Sequence, residues 1–376
     1  MPSFIHSDSA VPAALFAPGH VDYQWHVTYI NPSCQVDTPE PDKKHTFFSR
    51  DKANMWFGIP ALVATGMTWS LVGVISGSAP KHGLQMSLVQ LLGGLTSLVI
   101  GICVLLTTGS LTQATPEAIR YVIVCCLLSG IGNYALLQLM SRAMQTGPNG
   151  IIWSIVQSGL IFPFTMGILF FNVELNAWKV CGIIMIITAL AIFGTAKDNS
   201  ASGSRKWLLF AFTAFVICGI QQSINSLPSY RDDCTGLSVL KSLMNSTGVV
   251  LAALFGQHTG LEARRLADAN GNQLHGPKAF LAALRQHLGS RFMWGYIAMQ
   301  QGFHVITSYL LMYRGMDAMR AAGLGNVSYP LLVSSCIVGF FLYSLIFLRE
   351  KVRPIQFLGL ALCIGGIAAI CVKSAA

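Results

Sequence analysis

The sequence predicts an all-α integral membrane protein, with ten transmembrane helices arranged as two inverted-topology repeats of five helices. Three observations predict it. Only 10% of the 376 residues are charged and 53% are hydrophobic, whereas an ordinary soluble domain carries about a quarter charged residues. The apolar residues fall in ten blocks, each long enough for one crossing at about 20 residues. The second five blocks also echo the first five in order. Together these exclude a disordered chain, a disulfide scaffold and a soluble nucleotide- or DNA-binding domain. The net charge of +9 does not imply a nucleic-acid partner. The charges sit in tails and short loops, where they meet the anionic headgroups of the lipid bilayer.

Residues 1–54 form a polar leader containing prolines and histidines. Val11–Ala17 is too short and too broken by proline to be a signal peptide. The leader is expected to be a disordered tail, or to precede a start at Met55, and to lie outside the mechanism. The first repeat, 55–196, holds apolar blocks at 57–77, 85–109, 118–140, 147–171 and 177–196. A hydrophilic linker at 197–206 follows. The second repeat, 207–376, holds blocks at 207–228, 236–256, 293–313, 323–348 and 355–373. These blocks are too long and too evenly apolar for barrel strands, which alternate over about ten residues. Pro163 and Pro330 each free a carbonyl inside a block and permit a kink. Gly93-Gly94, Gly101, Gly359 and Gly365-Gly366 allow close helix approach, within one subunit or between two copies of a homodimer. In the extramembrane loop 257–291, Phe280, Leu281, Leu284 and Leu288 share a helical face, as an interfacial helix or a cap over one mouth would have them.

The internal repeat is legible residue by residue. Tyr134, Leu136, Ala143, Met144 and Gly150 recur as Tyr309, Leu311, Ala318, Met319 and Gly325, all 175 residues on. Glu174 and Glu350, just past the fourth and ninth blocks, are 176 apart. Ser78-Ala79-Pro80 and Ser226-Leu227-Pro228 end the first and sixth blocks, 148 apart. The 27-residue change of offset is absorbed by the 35-residue loop at 257–291, whose counterpart at 110–117 has 8 residues. An odd number of crossings per unit turns the second copy upside down. That arrangement recurs in secondary transporters, with substrate bound near the midplane between the repeats.

Thr68-Trp69-Ser70, Phe170-Phe171-Asn172-Val173-Glu174 running to Gly182, and Phe347-Leu348-Arg349-Glu350 running to Gly359 and Gly365-Gly366 carry a family likeness. Over about residues 57–373 the chain resembles the EamA-like ten-helix carriers of the drug/metabolite transporter superfamily. Gly130-Ile131-Gly132-Asn133, Cys218-Gly219-Ile220 and the long loop also resemble the rhamnose–proton symporters of its sugar-uptake branch. The resemblance implies transport and cytoplasmic termini. The positive-inside rule gives no clear orientation, with 11 Lys and Arg on one side and 13 on the other. The expected location is a cell membrane, of the bacterial inner-membrane kind, crossed many times.

Polar side chains inside hydrocarbon tend to face a cavity or another helix. Gln221, Gln222 and Asn225 in the sixth block, and Gln300 and Gln301 in the eighth, offer amides at helical spacing. Trp69, Asn133, Trp153, Gln157 and Tyr329 add amide and aromatic surface, and Asn245 and Asn326 lie nearby. These are the candidate binding residues for a small-molecule substrate. Interhelical hydrogen bonding is the alternative for each. No Asp or Glu lies centrally in any block, so a neutral polyhydroxylated or zwitterionic solute fits better than a lipophilic cation. His304, the one histidine inside a block, is a candidate for proton coupling. Lys241 is a snorkelling residue or an anion ligand. Arg314, Asp317 and Arg320 are a candidate gate network. Glu174 and Glu350 read as boundary and packing residues.

No cofactor or metal is expected. Most of the ten cysteines lie in apolar blocks, and none has ligand spacing. An exporter, a membrane-embedded enzyme and a non-transporting sensor are the rival readings. Against the enzyme, no catalytic grouping sits at a plausible membrane depth.

Overall fold

A backbone in hydrocarbon must satisfy its own hydrogen bonds, and a helix does so within one segment. A computed structural model of the chain describes residues 43–108, 114–171, 176–194, 206–234, 236–259, 276–305, 307–321, 325–350, 353–370 and 372, and every apolar block among them is helical. In chain order the helices are α1 (Lys43–Ser78), α2 (Met86–Thr108), α3 (Pro116–Met144), α4 (Asn149–Gln157), α5 (Ile161–Phe170), α6 (Ala177–Gly194) and α7 (Lys206–Ser226). They continue with α8 (Ser238–Thr259), α9 (Gly276–Leu288), α10 (Arg291–Met299), α11 (Tyr313–Ala321), α12 (Gly325–Ile346) and α13 (Pro354–Ile370). The chain divides into two compact units, Met1–His45 and Thr46–Ala376, and nearly all of these helices belong to the second.

The described residues are thus all-α, with seven helical stretches among them long and apolar enough to cross a membrane. The three remaining blocks, the fifth, eighth and tenth, fall short of the seven for two physical reasons. Helices α6 and α13 are apolar but have 18 and 17 residues, about 26 Å at 1.5 Å per residue against a hydrocarbon core of about 30 Å. The eighth block is interrupted. After α10 it is π-helical over Gln300–Val305 and again over Ser308–Met312 before α11. The fourth block also carries a 3-10 turn, at Ser158–Leu160 between α4 and α5, yet still counts among the seven as Asn149–Phe170. Pro163 lies just beyond that turn and cannot donate to the carbonyl of Gly159.

Two of the expected loop segments are partly among the described residues. Helix α1 starts at Lys43, inside the expected leader; residues 1–42 lie outside the described residues. In α9 the inward face is Ala283, Leu284 and His287, packed near Met293 and Tyr296. Leu281 and Leu288 are exposed, on the side an interfacial helix would turn to lipid. Residues 197–205 of the linker, 260–275 of the long loop and Glu174 lie outside the described residues.

Helices meet where glycine removes the side chain. A Cβ on Gly130 of α3 would sit 2.9 Å from the Cα of Gly248 on α8, and one on Gly366 of α13 would sit 2.7 Å from the Gly182 carbonyl of α6. Gly359 meets Phe193 at the other end of that pair, so α6 and α13 run antiparallel. Gly66 packs on Leu332 and Ser335, and Gly73 on Phe340, so α1 and α12 run parallel. Gly159 packs on Phe215 and Gly219 of α7. Gly93 and Gly94 face Gln300 and Val250. Most of the glycines flagged in the sequence are spent inside a single chain.

Candidate functional site

The close crossing of α3 and α8 brings polar groups together at mid-helix. Ser129, fully buried, accepts hydrogen bonds from Gln221 Nε2 of α7 at 2.8 Å and Asn245 Nδ2 of α8 at 3.0 Å. Three helices are thus tied to one hydroxyl. Each amide keeps its carbonyl oxygen for another partner. Asn133 is one turn from Ser129 on α3, and Asn225 is one turn from Gln221 on α7. All four amides are half-buried. The cluster can bind hydroxyl or amide groups but brings no charge of its own.

A second polar seam joins α2 to the π-helical stretch. Gln301 donates from Nε2 to the Gly93 carbonyl at 2.9 Å and accepts from Ser97 Oγ at 3.0 Å. Gln300 lies against Gly93, where a Cβ would come within 2.6 Å of its Oε1. Gln138 Nε2 donates to Gln90 Oε1 at 3.2 Å. π-Helical turns are rare and occur mostly at functional sites, and this one carries Gln300, Gln301 and His304. The side chain of His304 lies outside the described residues.

The aromatic candidates Trp69, Trp153 and Tyr329 share one apolar cluster. Trp153, 2% exposed, donates from Nε1 to the Cys336 carbonyl at 3.3 Å, and its ring centre is 5.0 Å from that of Phe340. It wedges α4 between α1 and α12. Trp69 and Tyr329 are half-buried on α1 and α12. Gln157 and Gln222 are each 8% exposed, and their Oε1 atoms are buried without a hydrogen-bond partner. Gln222 Nε2 reaches the Cys218 thiol at 3.2 Å. Both lie beside the place where the α4–α5 break packs on α7. An unpaired buried amide costs about 1–3 kcal/mol, which a bound hydroxyl or water would relieve.

Of the charged candidates, only Lys241 and Arg314 have side chains among the described residues. Lys241 is half-buried in the first turns of α8, within electrostatic reach of Cys234. Arg314 is exposed on α11, and the side chains of Asp317, Arg320 and Asn326 lie outside the described residues. Near Lys241, Arg231 grips Asp233 through two hydrogen bonds, 3.0 and 2.6 Å, and lies 4.7 Å over the Tyr121 ring. Its hydrogen bonds hold the Asp233 carboxyl below the usual carboxylate range.

Sequence reasoning missed Ser97 and Ser129, and named Glu350 only as a boundary and packing residue. Both serines stand where helical spacing could have found them, Ser129 four residues before Asn133. Glu350 was legible as the repeat partner of Glu174, but its partners on α4 were not. Its carboxylate accepts the backbone N–H groups of Asn149 at 2.8 Å and Gly150 at 3.1 Å, and the Ser344 hydroxyl.

No family model and no curated protein matches the chain. Among solved structures, one described only as "Crystal structure of protein" is similar with a TM-score of 0.48 and 14% identity, over 85% of this chain and 96% of that one.

Proposed function

We propose that the chain is a secondary transporter of a small, polar, neutral or zwitterionic solute, an EamA-like carrier working by alternating access of two inverted five-helix repeats. Helices α6 and α13 and the interrupted α10–α11 stretch then bring the crossings to ten. The helix contacts support the repeat, because exchanging the halves turns each contact into another. Helix α3 against α8 becomes the π-helical stretch against α2. Helix α4 against α7 becomes α12 against α1, and α2–α8, α4–α12 and α6–α13 map onto themselves. Ser97 and Asn245, each bonded across a seam, are 148 residues apart (245 − 97), the offset of Pro80 and Pro228 (228 − 80).

The observation that carries the substrate class is the pair of buried amide oxygens on Gln157 and Gln222, unpartnered among the described residues, together with the half-buried amides of Asn133, Gln221, Asn225 and Asn245 on α3, α7 and α8. Neutral acceptors and donors suit hydroxylated or zwitterionic solutes. The test is a thermal-shift screen of purified protein against neutral sugars, amino acids, nucleosides and lipophilic cations. A ligand at 100 times its Kd stabilises by about 2.7 kcal/mol. A neutral hit that also crosses proteoliposome membranes supports the reading. Stabilisation by lipophilic cations alone would overturn it in favour of an exporter. His304→Gln is expected to abolish accumulation driven by a pH gradient while sparing exchange.

A further inference from the structure

The end of α12 is fastened to the beginning of α4. Beyond Ile346 the chain folds back: Phe347 and Leu348 donate to the Tyr343 carbonyl at 2.9 and 3.4 Å, and Glu350 donates to that of Ser344 at 3.2 Å. Arg349 sits between them at φ 51, the left-handed region that residues with a side chain adopt only under strain. This turn aims the Glu350 carboxylate at α4. There it takes the N–H groups of Asn149 and Gly150 while also holding the Ser344 hydroxyl of α12. The first N–H groups of a helix have no partner within it, and the helix dipole favours an anion there. Pro148 precedes α4 and supplies no side-chain cap. The helix is served from across the seam. Contact is close, since a Cβ on Gly150 would lie 2.8 Å from Ser344 Oγ.

We infer that Glu350 is a releasable latch on the α4–α12 contact: engaged, it closes this end of the seam, and released, it lets the two helices part. The inference rests on the transporter reading in one respect, that α4 and α12 belong to halves that move against each other. A helix whose own chain supplied the cap would keep it through such a motion. Here the cap lies on the other half, so parting the halves must break it. The left-handed Arg349 works in the opposite sense, because its strain is relieved when the turn lets go. Carboxylate and strain together make the contact two-state rather than continuously deformable.

Hydrogen exchange on the full chain in nanodiscs of phosphatidylcholine and phosphatidylglycerol tests this without a known substrate. In Glu350→Ala, exchange is expected to rise about tenfold at residues 149–152 and also at 339–346 of α12 and 73–77 of α1, which pack at the same end. Arg349→Gly removes the strain but keeps the carboxylate, and is expected to slow exchange in all three segments. A rise confined to 149–152 would overturn the latch and leave a static helix cap. Glu350→Gln, which retains one acceptor oxygen, is read the same way should the alanine variant not fold, with a smaller rise across the three segments expected. The two readings fail separately. Joint opening of the three segments with no ligand found would sink the transporter and leave the latch standing. A bound solute with 339–346 unmoved in the variant would sink the latch alone.

Discussion

Substituting Gly248 by Ala tests the crossing that assembles the amide cluster. Its added Cβ would lie 2.9 Å from the Gly130 Cα and also abut the Leu127 carbonyl and the Ile131 nitrogen, all backbone atoms of α3. No flexible side chain can move aside. Restoring a normal carbon–carbon separation of about 3.5–4.0 Å requires α3 and α8 to part by about 1 Å. The Asn245–Ser129 hydrogen bond, now 3.0 Å, would then stretch to about 4 Å and be lost. Overpacking costs about 1–3 kcal/mol, and an interhelical hydrogen bond adds about 0.6 kcal/mol. The sum, about 2–4 kcal/mol, is readable as a lower unfolding midpoint of the purified protein. Gly295→Ala is the control. Nothing lies within 4 Å of its added Cβ on α10, so helix propensity alone should stabilise by up to about 1 kcal/mol. If Gly248→Ala proves as benign as Gly295→Ala, the close α3–α8 crossing is wrong.

Further outcomes follow from the same geometry. Ser129→Ala removes the acceptor shared by Gln221 and Asn245; a double-mutant cycle with Asn245→Ala should give a coupling of about 0.6–1.7 kcal/mol, and zero coupling would refute the hub. Gln222→Met removes an unpaired buried acceptor, so the empty protein should melt higher while any ligand-induced shift disappears. Burial pushes the His287 imidazole below its usual pKa. The unfolded state then binds the proton more tightly, so this contribution to stability is present above the unfolded pKa of about 6.5 and is lost as pH falls through the lower folded value. Exchange along 276–288 should therefore quicken on acidification, and His287→Gln should flatten that dependence.

How far the sequence speaks depends on the range of the interaction. The apolar blocks were legible because each crossing satisfies its own backbone, and the break near Pro163 was legible because proline lacks a donor. The split of the eighth block into π-helical turns had no such mark, for Gln300–Val305 contains neither proline nor an unusual run. Trp153 read as a surface for a solute and sits instead between α1 and α12, because a lone aromatic in a block looks the same in either role. Amide positions were visible as expensive residues in hydrocarbon. Their partners were not. Ser129 and Gln221 are 92 residues apart, Ser97 and Gln301 are 204 apart, and nothing local announces such a pairing.

The reach of Glu350 also bears on how the protein is made. Gly150 and the carboxylate that holds it are 200 residues apart, about 10–40 s of synthesis at ~5–20 residues per second. Throughout that interval the leading turn of α4 has its amides uncovered, with a proline before it and no acceptor of its own. Water or lipid phosphate must serve them until residue 350 has been made. A nascent chain arrested before residue 350 would carry α4 into the bilayer with an unfinished end, and that end is where quality control would find it.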